Sequence, residues 1–118
     1  MSPNHMKWDG RCLVLDDSPE RIEWFRGYCT QLDWVKTVPD AISALQRSRY
    51  NVIFLDHDLG TEPAVGRDVA KWLIQTKAHK NTPIWVHSQN VVSGPKIERE
   101  LRDAGYDVVW RPFPPIHD

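Results

Sequence analysis

The sequence has few cysteines, with only Cys12 and Cys29 among 118 residues. These two cysteines lack metal-ligand spacing and are too few for a secreted disulfide framework, so they favour a reduced intracellular setting. No apolar run approaches the roughly 18 residues of a membrane span. The polar start Met-Ser-Pro-Asn-His-Met does not have the pattern of a signal peptide. These absences predict a cytoplasmic protein that does not enter a membrane.

The sequence also lacks an excess of positive charge. A net charge of -1 and a pI near 6.5 exclude a broad basic surface for extended nucleic acid, so any phosphate recognition must be local. The length fits one domain, which we expect to span residues 1–118. Within it, residues 1–10 are expected to form a loose lead-in and residues 113–118 a tail.

Short apolar segments alternate with segments of helical spacing along the whole chain. The predicted strands are 11–17, 34–38, 52–55, 84–86 and 106–110. The predicted helices are a first one capped by Ser18 and extending to Leu32, then 40–49, 67–80 and 94–105, the last closed by Gly105 as a left-handed cap. This alternation predicts an α/β fold, a single five-stranded parallel sheet with helices on both faces and the common order 2-1-3-4-5.

Polar side chains follow the predicted strands where each strand ends. Ligands bind outside the carboxyl ends of parallel strands, and neighbouring strands lie about 4.8 Å apart. We therefore expect one site, built from the groups that follow strands 1, 3, 4 and 5: Asp16, Asp17, Asp56, His57, Asp58, His87, Ser88 and Arg111.

These strand ends resemble those of the receiver domains of two-component signalling. The similar features are the acids after strand 1, the Asp-x-x-Leu of residues 56–59, the hydroxyl of Ser88 and a basic residue before proline at Arg111-Pro112. The resemblance implies that the acids hold Mg²⁺, that Asp56 accepts a phosphoryl group, and that a hydroxyl and a lysine sense it.

Four features depart from the receiver pattern. Gly60 stands where receivers have proline, Arg111 replaces their lysine, and His57 and His87 occupy positions that are normally apolar. The sequence also stops where receivers build a fifth helix, so we expect a receiver-like three-layer sandwich with that helix missing.

The departures have a resemblance of their own. Leu-Asp-Asp, Leu-Asp-His-Asp-Leu-Gly and His-Ser-x-Asn-x-x-x-Gly, the last spanning residues 87–94, are similar to cyclic-phosphate processing receiver domains. Members of that family are proposed to act on cyclic phosphates in RNA repair, nucleotide signalling or phage conflict. The resemblance implies a small ligand that contains a cyclic phosphate.

The residues themselves suggest how such a ligand is opened. Imidazole transfers protons near neutral pH, so we predict His57, His87 and Asp56 as catalytic residues. Four further residues are predicted to contact the substrate, the arginines through bidentate phosphate contacts and the others through hydrogen bonds: Arg21, Arg111, Ser88 and Asn90. The alternatives are histidines that simply pack at strand ends, and Ser88 and Asn90 that only form a turn.

The acids predict either a metal site or support for the histidines. Oxygen ligands of this kind hold Mg²⁺ or Mn²⁺, and the candidates are Asp16, Asp17, Asp56 and Asp58. So many carboxylates at one edge repel one another, which calls for a cation, either a metal or the guanidiniums of Arg21 and Arg111. Asp17 and Asp58 have the alternative of being caps or turn residues.

Three functions remain open at this point. The first is a phosphoesterase that acts on a cyclic nucleotide or related cyclic phosphate. The second is a protein that binds such a nucleotide without turnover, as a sponge in phage anti-defence, and the third is a stand-alone receiver phosphorylated on Asp56. Trp85 and Trp110, on strands 4 and 5, predict an exposed apolar sheet face where the fifth helix is missing, and hence a homodimer that buries it.

Overall fold

The computed structural model describes residues 8–56 and 66–111. Strands and helices alternate, in the order β1 (Trp8–Leu15), α1 (Pro19–Tyr28), β2 (Cys29–Val35), α2 (Val38–Arg47), β3 (Val52–Leu55), α3 (Gly66–Thr76), β4 (Ile84–Val86), α4 (Ser93–Asp103) and β5 (Val108–Trp110). All strand pairs are parallel, and the sheet order is β2-β1-β3-β4-β5. The predicted fold class and strand order are confirmed, with four helices in the described ranges.

Alternate residues of the strands face two different cores. Leu13, Leu15, Ile53 and Leu55 belong to a core shared with α2, α3 and α4. Their strand neighbours Cys12, Val14, Val52 and Phe54 face the other way, toward α1. This period of two places helices on both faces of the sheet and leaves the strand ends at its edges. No helix in the described ranges is long and apolar enough to cross a membrane.

The first helix is shorter and the second strand longer than predicted. The helical spacing up to Leu32 is misleading, because α1 ends at Tyr28 and Cys29 already has extended backbone angles. The cause is non-local, since the Thr30 hydroxyl donates to the Gly10 carbonyl and accepts from the Gly10 amide, both at 2.9 Å. This pairing also brings residues 8–10 into β1, so the expected loose lead-in is wrong for them.

Other element boundaries shift by a few residues. Helix α2 begins at Val38, which was expected to end a strand, because the Thr37 hydroxyl accepts from the Asp40 amide and caps the helix. Helix α3 ends at Thr76 instead of residue 80, and Lys77 then has a φ of 59°. Strand β5 begins at Val108, two residues after the predicted start. The left-handed cap is confirmed at Gly105, with a φ of 95°.

Trp85 and Trp110 lie on opposite faces of the sheet, contrary to the expected shared surface. Trp85 pairs with Val109 across the two strands, is 8% exposed and packs against Phe54. Trp110 packs against the core on the α4 side, and its indole Nε1 donates to the Ser88 carbonyl at 2.9 Å. The exposed apolar side chain on the Trp85 face is Val109, at 42%.

Some expectations lie outside the described residues. These are the tail at 113–118, the residues before Trp8, and residues 57–65 with His57, Asp58 and Gly60. A single domain over residues 1–118 therefore stays a prediction. No helix follows β5 before the described chain ends at Arg111.

Candidate active site

Two carboxylates and an imidazole meet at the carboxyl edge of the sheet. Asp16 follows β1, Asp56 follows β3 and His87 follows β4, and they are 0%, 5% and 1% exposed. Parallel strand pairing places the three residues at the same level along the strand direction. The Asp56 amide donates to the Leu15 carbonyl at 3.0 Å, and the His87 amide donates to the Leu55 carbonyl at 2.9 Å. One possible ligand atom from each of the three lies within 4.8 Å of the others. The predicted convergence of the first, third and fourth strands is therefore present.

Arg21 offsets part of the negative charge of this cluster. Its guanidinium Nε donates to Asp16 Oδ2 at 2.7 Å, and one terminal nitrogen donates to Asp16 Oδ1 at 2.8 Å and to Asp56 Oδ2 at 3.2 Å. The same nitrogen lies 3.7 Å from Asp17 Oδ1. The cation that the crowded acids require is thus a guanidinium in this structure, in a bidentate geometry that holds its plane fixed.

The start of α1 places Arg21 over the acids. Ser18 caps the helix by accepting from the Arg21 amide at 3.3 Å, and its own amide donates to Asp16 Oδ1 at 2.9 Å. Pro19 occupies the first turn, where its missing N–H has no cost. The segment from Asp16 to Arg21 is therefore one hydrogen-bonded unit, in which the carboxylate organises the helix that supplies its partner.

His87 is packed beneath α1. Its Nε2 lies 2.9 Å from Asp16 Oδ2, its side chain is 0% exposed, and its ring meets the Phe25 ring edge-on at 5.2 Å. An ionised carboxylate only accepts hydrogen bonds, so Nε2 is the donor. The buried Nδ1 has no hydrogen-bond partner among the described residues. This burial keeps the ring from direct proton exchange with a ligand in the present conformation.

The electrostatics of Asp16 follow from these contacts. Burial acts to raise the pKa of Asp16, but the hydrogen bonds from His87 and Arg21 outweigh burial and hold the pKa at about 2. The Arg21 pKa is raised, first by its hydrogen bond to the same carboxylate. Asp16 is therefore an anion near neutral pH, and its charge is committed to two partners.

Ser88 and Asn90 make local contacts and do not hydrogen-bond to the cluster. The buried Ser88 hydroxyl accepts from the Asn90 amide at 3.0 Å. The Asn90 side chain in turn accepts from the amides of Val92 and Ser93, at 2.9 and 2.8 Å. These contacts favour the turn-forming alternative, in which both residues shape the connection that leads into α4.

Arg111 lies apart from the acids. Its amide continues the sheet by donating to the Val86 carbonyl at 2.9 Å, and its guanidinium carbon lies 5.9 Å from the centre of the Trp85 ring. It forms no ion pair within the described part of the chain. His57 and Asp58 lie outside the described residues, so their predicted roles remain predictions.

Two residues that support the site were not predicted from the sequence. The Trp34 indole Nε1 donates to the Asp16 carbonyl at 2.7 Å, and Phe25 covers the imidazole of His87. Their only signal is the high number of aromatic residues, which does not say where each ring packs. Both act on the position of the site side chains.

The cluster has a donor set that suits a divalent cation. Two carboxylates and an imidazole, from Asp16, Asp56 and His87, are ligands that Mn²⁺ or Zn²⁺ accepts more readily than Mg²⁺, which prefers oxygen alone. The Arg21 guanidinium already bridges both carboxylates, so an ion would have to replace those contacts. The residues therefore fit a metal only if Arg21 moves away.

Comparisons with known proteins agree with this architecture. A family model for the cyclic-phosphate processing receiver domain matches residues 11–103, while no curated protein matches the chain. The signal receiver domain of a putative LuxO repressor protein from Vibrio parahaemolyticus has a TM-score of 0.67 at 22% identity, over 90% of this chain and 79% of that one. Response regulator TrrA from Thermotoga maritima, solved in complex with Mg²⁺-BeF, has a TM-score of 0.65 at 21% identity, over 92% and 90%. Chemotaxis protein CheY4 from Vibrio cholerae has a TM-score of 0.67 at 19% identity, over 92% and 88%.

Proposed function

Because the chain belongs to the cyclic-phosphate processing receiver domains, we propose that it binds a cyclic phosphate ester at the carboxyl edge of the sheet and hydrolyses it. The Arg21 guanidinium carries this proposal. It is held by two buried carboxylates, yet its side chain remains 29% exposed. A fixed, partly exposed guanidinium offers N–H donors to phosphoryl oxygens, as phosphoryl chemistry requires.

Hydrolysis of a cyclic phosphate adds water across one P–O bond of the ring. The water oxygen joins phosphorus, the ring oxygen leaves as an alkoxide that takes up a proton, and the product is a ring-opened phosphate ester. The reaction needs a base for the water, an acid for the leaving oxygen and a cation for the phosphoryl oxygens. We assign the cation role to Arg21 and proton transfer to His57, which would take a proton from the water and protonate the leaving oxygen. Asp56, which precedes it in the sequence, is 5% exposed and holds the Arg21 guanidinium.

His87 has a different task in this proposal. The sequence suggests that it pairs with His57 in proton transfer, but its ring is enclosed under α1 and bound to Asp16. We therefore assign it the positioning of Asp16, and through Asp16 of Arg21. If Mg²⁺ or Mn²⁺ binds once Arg21 has moved away, Asp16, Asp56 and His87 would hold it, and its charge would stabilise the phosphoryl oxygens in place of the guanidinium.

A second candidate is binding without turnover, as in a nucleotide sponge. It is favoured by the burial of His87, which removes one of the two predicted proton carriers from the ligand. The third candidate, phosphorylation on Asp56, is weakened because that carboxylate is 5% exposed and bonded to Arg21. A phosphoryl donor could reach it only after Arg21 withdrew.

The three candidates are separated by one set of incubations. The protein is mixed with 2′,3′-cyclic nucleotides and cyclic dinucleotides, with and without EDTA, and the products are resolved by mass. We expect a ring-opened phosphate ester from the wild type and from Arg26→Ala, an exposed position on α1, and a rate at least about 100-fold lower from Arg21→Ala and His57→Ala. Tight binding with recovery of intact ligand would select sequestration. A stable acyl phosphate formed from acetyl phosphate would select the receiver role.

We also propose that the protein forms a homodimer through the exposed face beside β5. A cavity of about 320 Å³ there is lined mainly by apolar side chains, and Val109 is 42% exposed. A second copy would cover this face, which lies on the edge strand of the sheet. In sedimentation at micromolar concentration we expect a dimer that Val109→Lys disrupts. Val91→Lys, at a 72% exposed valine between β4 and α4, should leave the dimer intact. A monomeric wild type would contradict this.

The cytoplasmic location also stays a prediction.

A further inference from the structure

A second cavity lies at the opposite end of the sheet from the carboxylates. Its volume is about 560 Å³, and its walls are residues 45–50, from the last turn of α2 onward, and residues 79–82. These two segments lead into β3 and β4, which begin at Val52 and Ile84. The cavity is thus at the amino ends of the strands, whereas Asp16 and Asp56 follow the carboxyl ends.

The lining of this cavity is basic. Arg47, Arg49 and Lys80 are among its ten residues, and none of the ten is acidic. Arg11 adds a guanidinium at the rim, where it donates to the Ser48 hydroxyl at 3.1 Å. A protein with a net charge of -1 therefore concentrates several cations at one end.

The arginines at this cavity have no carboxylate partner among residues 8–56 and 66–111, where Arg11 and Arg47 donate to the hydroxyls of Ser48 and Ser43. Elsewhere in the described ranges, four of six arginines form ion pairs with carboxylates, namely Arg21, Arg26, Arg67 and Arg102. Arg11, Arg47 and Arg49 form none within the same ranges, and both Arg47 and Arg49 are exposed. Unneutralised guanidiniums around a concave surface favour an anionic ligand.

The walls are held in place by hydrogen bonds between the two segments. His79 Nε2 donates to the Leu45 carbonyl at 2.8 Å, and the Thr82 hydroxyl donates to the Tyr50 carbonyl at 3.3 Å. The Tyr50 hydroxyl donates to Asp33 at 2.7 Å, which anchors that segment from the other side. The cavity therefore has its shape before a ligand arrives, as small-molecule sites usually do.

We propose that this cavity is a second binding site, which takes the phosphate chain of a small molecule such as a nucleoside di- or triphosphate. The guanidinium fork matches phosphate oxygens, and the volume lies within the roughly 300 to 1,000 Å³ of small-molecule sites. Two rings belong to the lining: Tyr50 is 6% exposed, and His79 is half-buried with its Nε2 bound to the Leu45 carbonyl, so neither is a fully exposed platform for a base. The site therefore recognises the phosphates and not the base.

Titration of the isotope-labelled protein with inorganic pyrophosphate, followed by NMR, tests this proposal. We expect saturable shifts of the amides of residues 46–50 and 79–82, and similar affinities for pyrophosphate, ATP and GTP. The double variant Arg47→Gln with Arg49→Gln is expected to weaken binding at least about tenfold. The control Arg26→Gln with Arg99→Gln removes the same charge from exposed positions outside the cavity and should leave the affinity unchanged. Arg21→Gln should leave these shifts unchanged, because its site is at the other edge.

Three results would overturn the proposal. The first is the absence of saturable shifts in these segments at millimolar pyrophosphate. The second is an equal loss of affinity in both double variants, which would mean unspecific attraction to net charge. The third is much tighter binding of a single-stranded oligonucleotide than of pyrophosphate, which would assign the basic surface to nucleic acid.

Discussion

Replacing Arg21 by glutamine should destabilise the protein by about 3 kcal/mol at neutral pH. The substitution keeps much of the side-chain volume but removes the only cation that hydrogen-bonds to Asp16 and Asp56 within the described ranges. Two buried carboxylates then face each other without the guanidinium between them, and removing one partner is the costly way to break an ion pair.

The magnitude follows from two contributions. Lowering the pKa of Asp16 from 3.8 to about 2 corresponds to about 2 kcal/mol of stability at neutral pH, of which we assign about half to Arg21 and the rest to His87. Repulsion between carboxylate oxygens within 4.8 Å adds about 3 kcal/mol at an effective dielectric constant of about 20. Arg21 is 29% exposed, so water entering its place recovers part of this sum.

The pH dependence has a defined sign. Because the folded pKa of Asp16 lies below its unfolded value of 3.8, its stabilisation is complete above that value and is lost as the pH falls toward about 2. Without Arg21 the pKa of Asp16 rises. The variant therefore loses less stability over this acid range than the wild type does, although it is less stable at neutral pH.

Urea denaturation of the wild type, Arg21→Gln and Arg26→Gln at a series of pH values measures these effects. Arg26 lies on the same helix and pairs with Glu23 in solvent, so its loss should cost less than about 0.5 kcal/mol. Saturating Mn²⁺ should restore about 2 kcal/mol to Arg21→Gln, because the freed carboxylates and His87 can bind the ion, and should have little effect on the wild type. Equal free energies of unfolding for Arg21→Gln and Arg26→Gln in metal-free buffer would mean that repulsion between the two carboxylates does not lower the stability.

Two glycines provide a matched pair of further predictions. Gly94→Ala should lower the free energy of unfolding by about 2 to 3 kcal/mol, because the added Cβ would overlap the Trp110 indole and break its hydrogen bond to the Ser88 carbonyl. Urea denaturation and the near-UV tryptophan signal measure this change. An unchanged spectrum would contradict it. Gly27→Ala, with nothing within 4 Å of the new Cβ on α1, should instead raise the free energy of unfolding by about 0.5 to 1 kcal/mol, and a loss of stability there would be inconsistent with an open helical position.

The sheet and its polar edge could be predicted because their signals are local. Apolar segments such as Val52–Leu55 end directly in acids, and parallel pairing then brings equivalent strand ends to one height. The pairing of Leu55 with Val86 places His87 beside Asp56, as the strand order suggested. The convergence of the site thus needs only strand identity and order.

The partners within the site could not be predicted because they depend on contacts between distant residues. The end of α1 at Tyr28 is set by Thr30 pairing with Gly10, and the burial of His87 by Phe25 on a helix many residues away. Likewise, the sequence places Arg21 and Arg111 equally near the acids, yet only Arg21 reaches them. The sequence predicts which side chains lie at the carboxyl edge of the sheet. It does not predict whether each of them binds a ligand, packs in the core or forms an ion pair.

The dual use of Arg21 links ligand affinity to the integrity of the scaffold. The guanidinium that would bind an incoming phosphate is the one that ties α1 to the residues after β1 and β3. A ligand that draws this guanidinium toward itself weakens those contacts, so part of its interaction energy is spent on loosening the helix. Occupancy should therefore be detectable as faster amide exchange along α1, far beyond the atoms that the ligand touches.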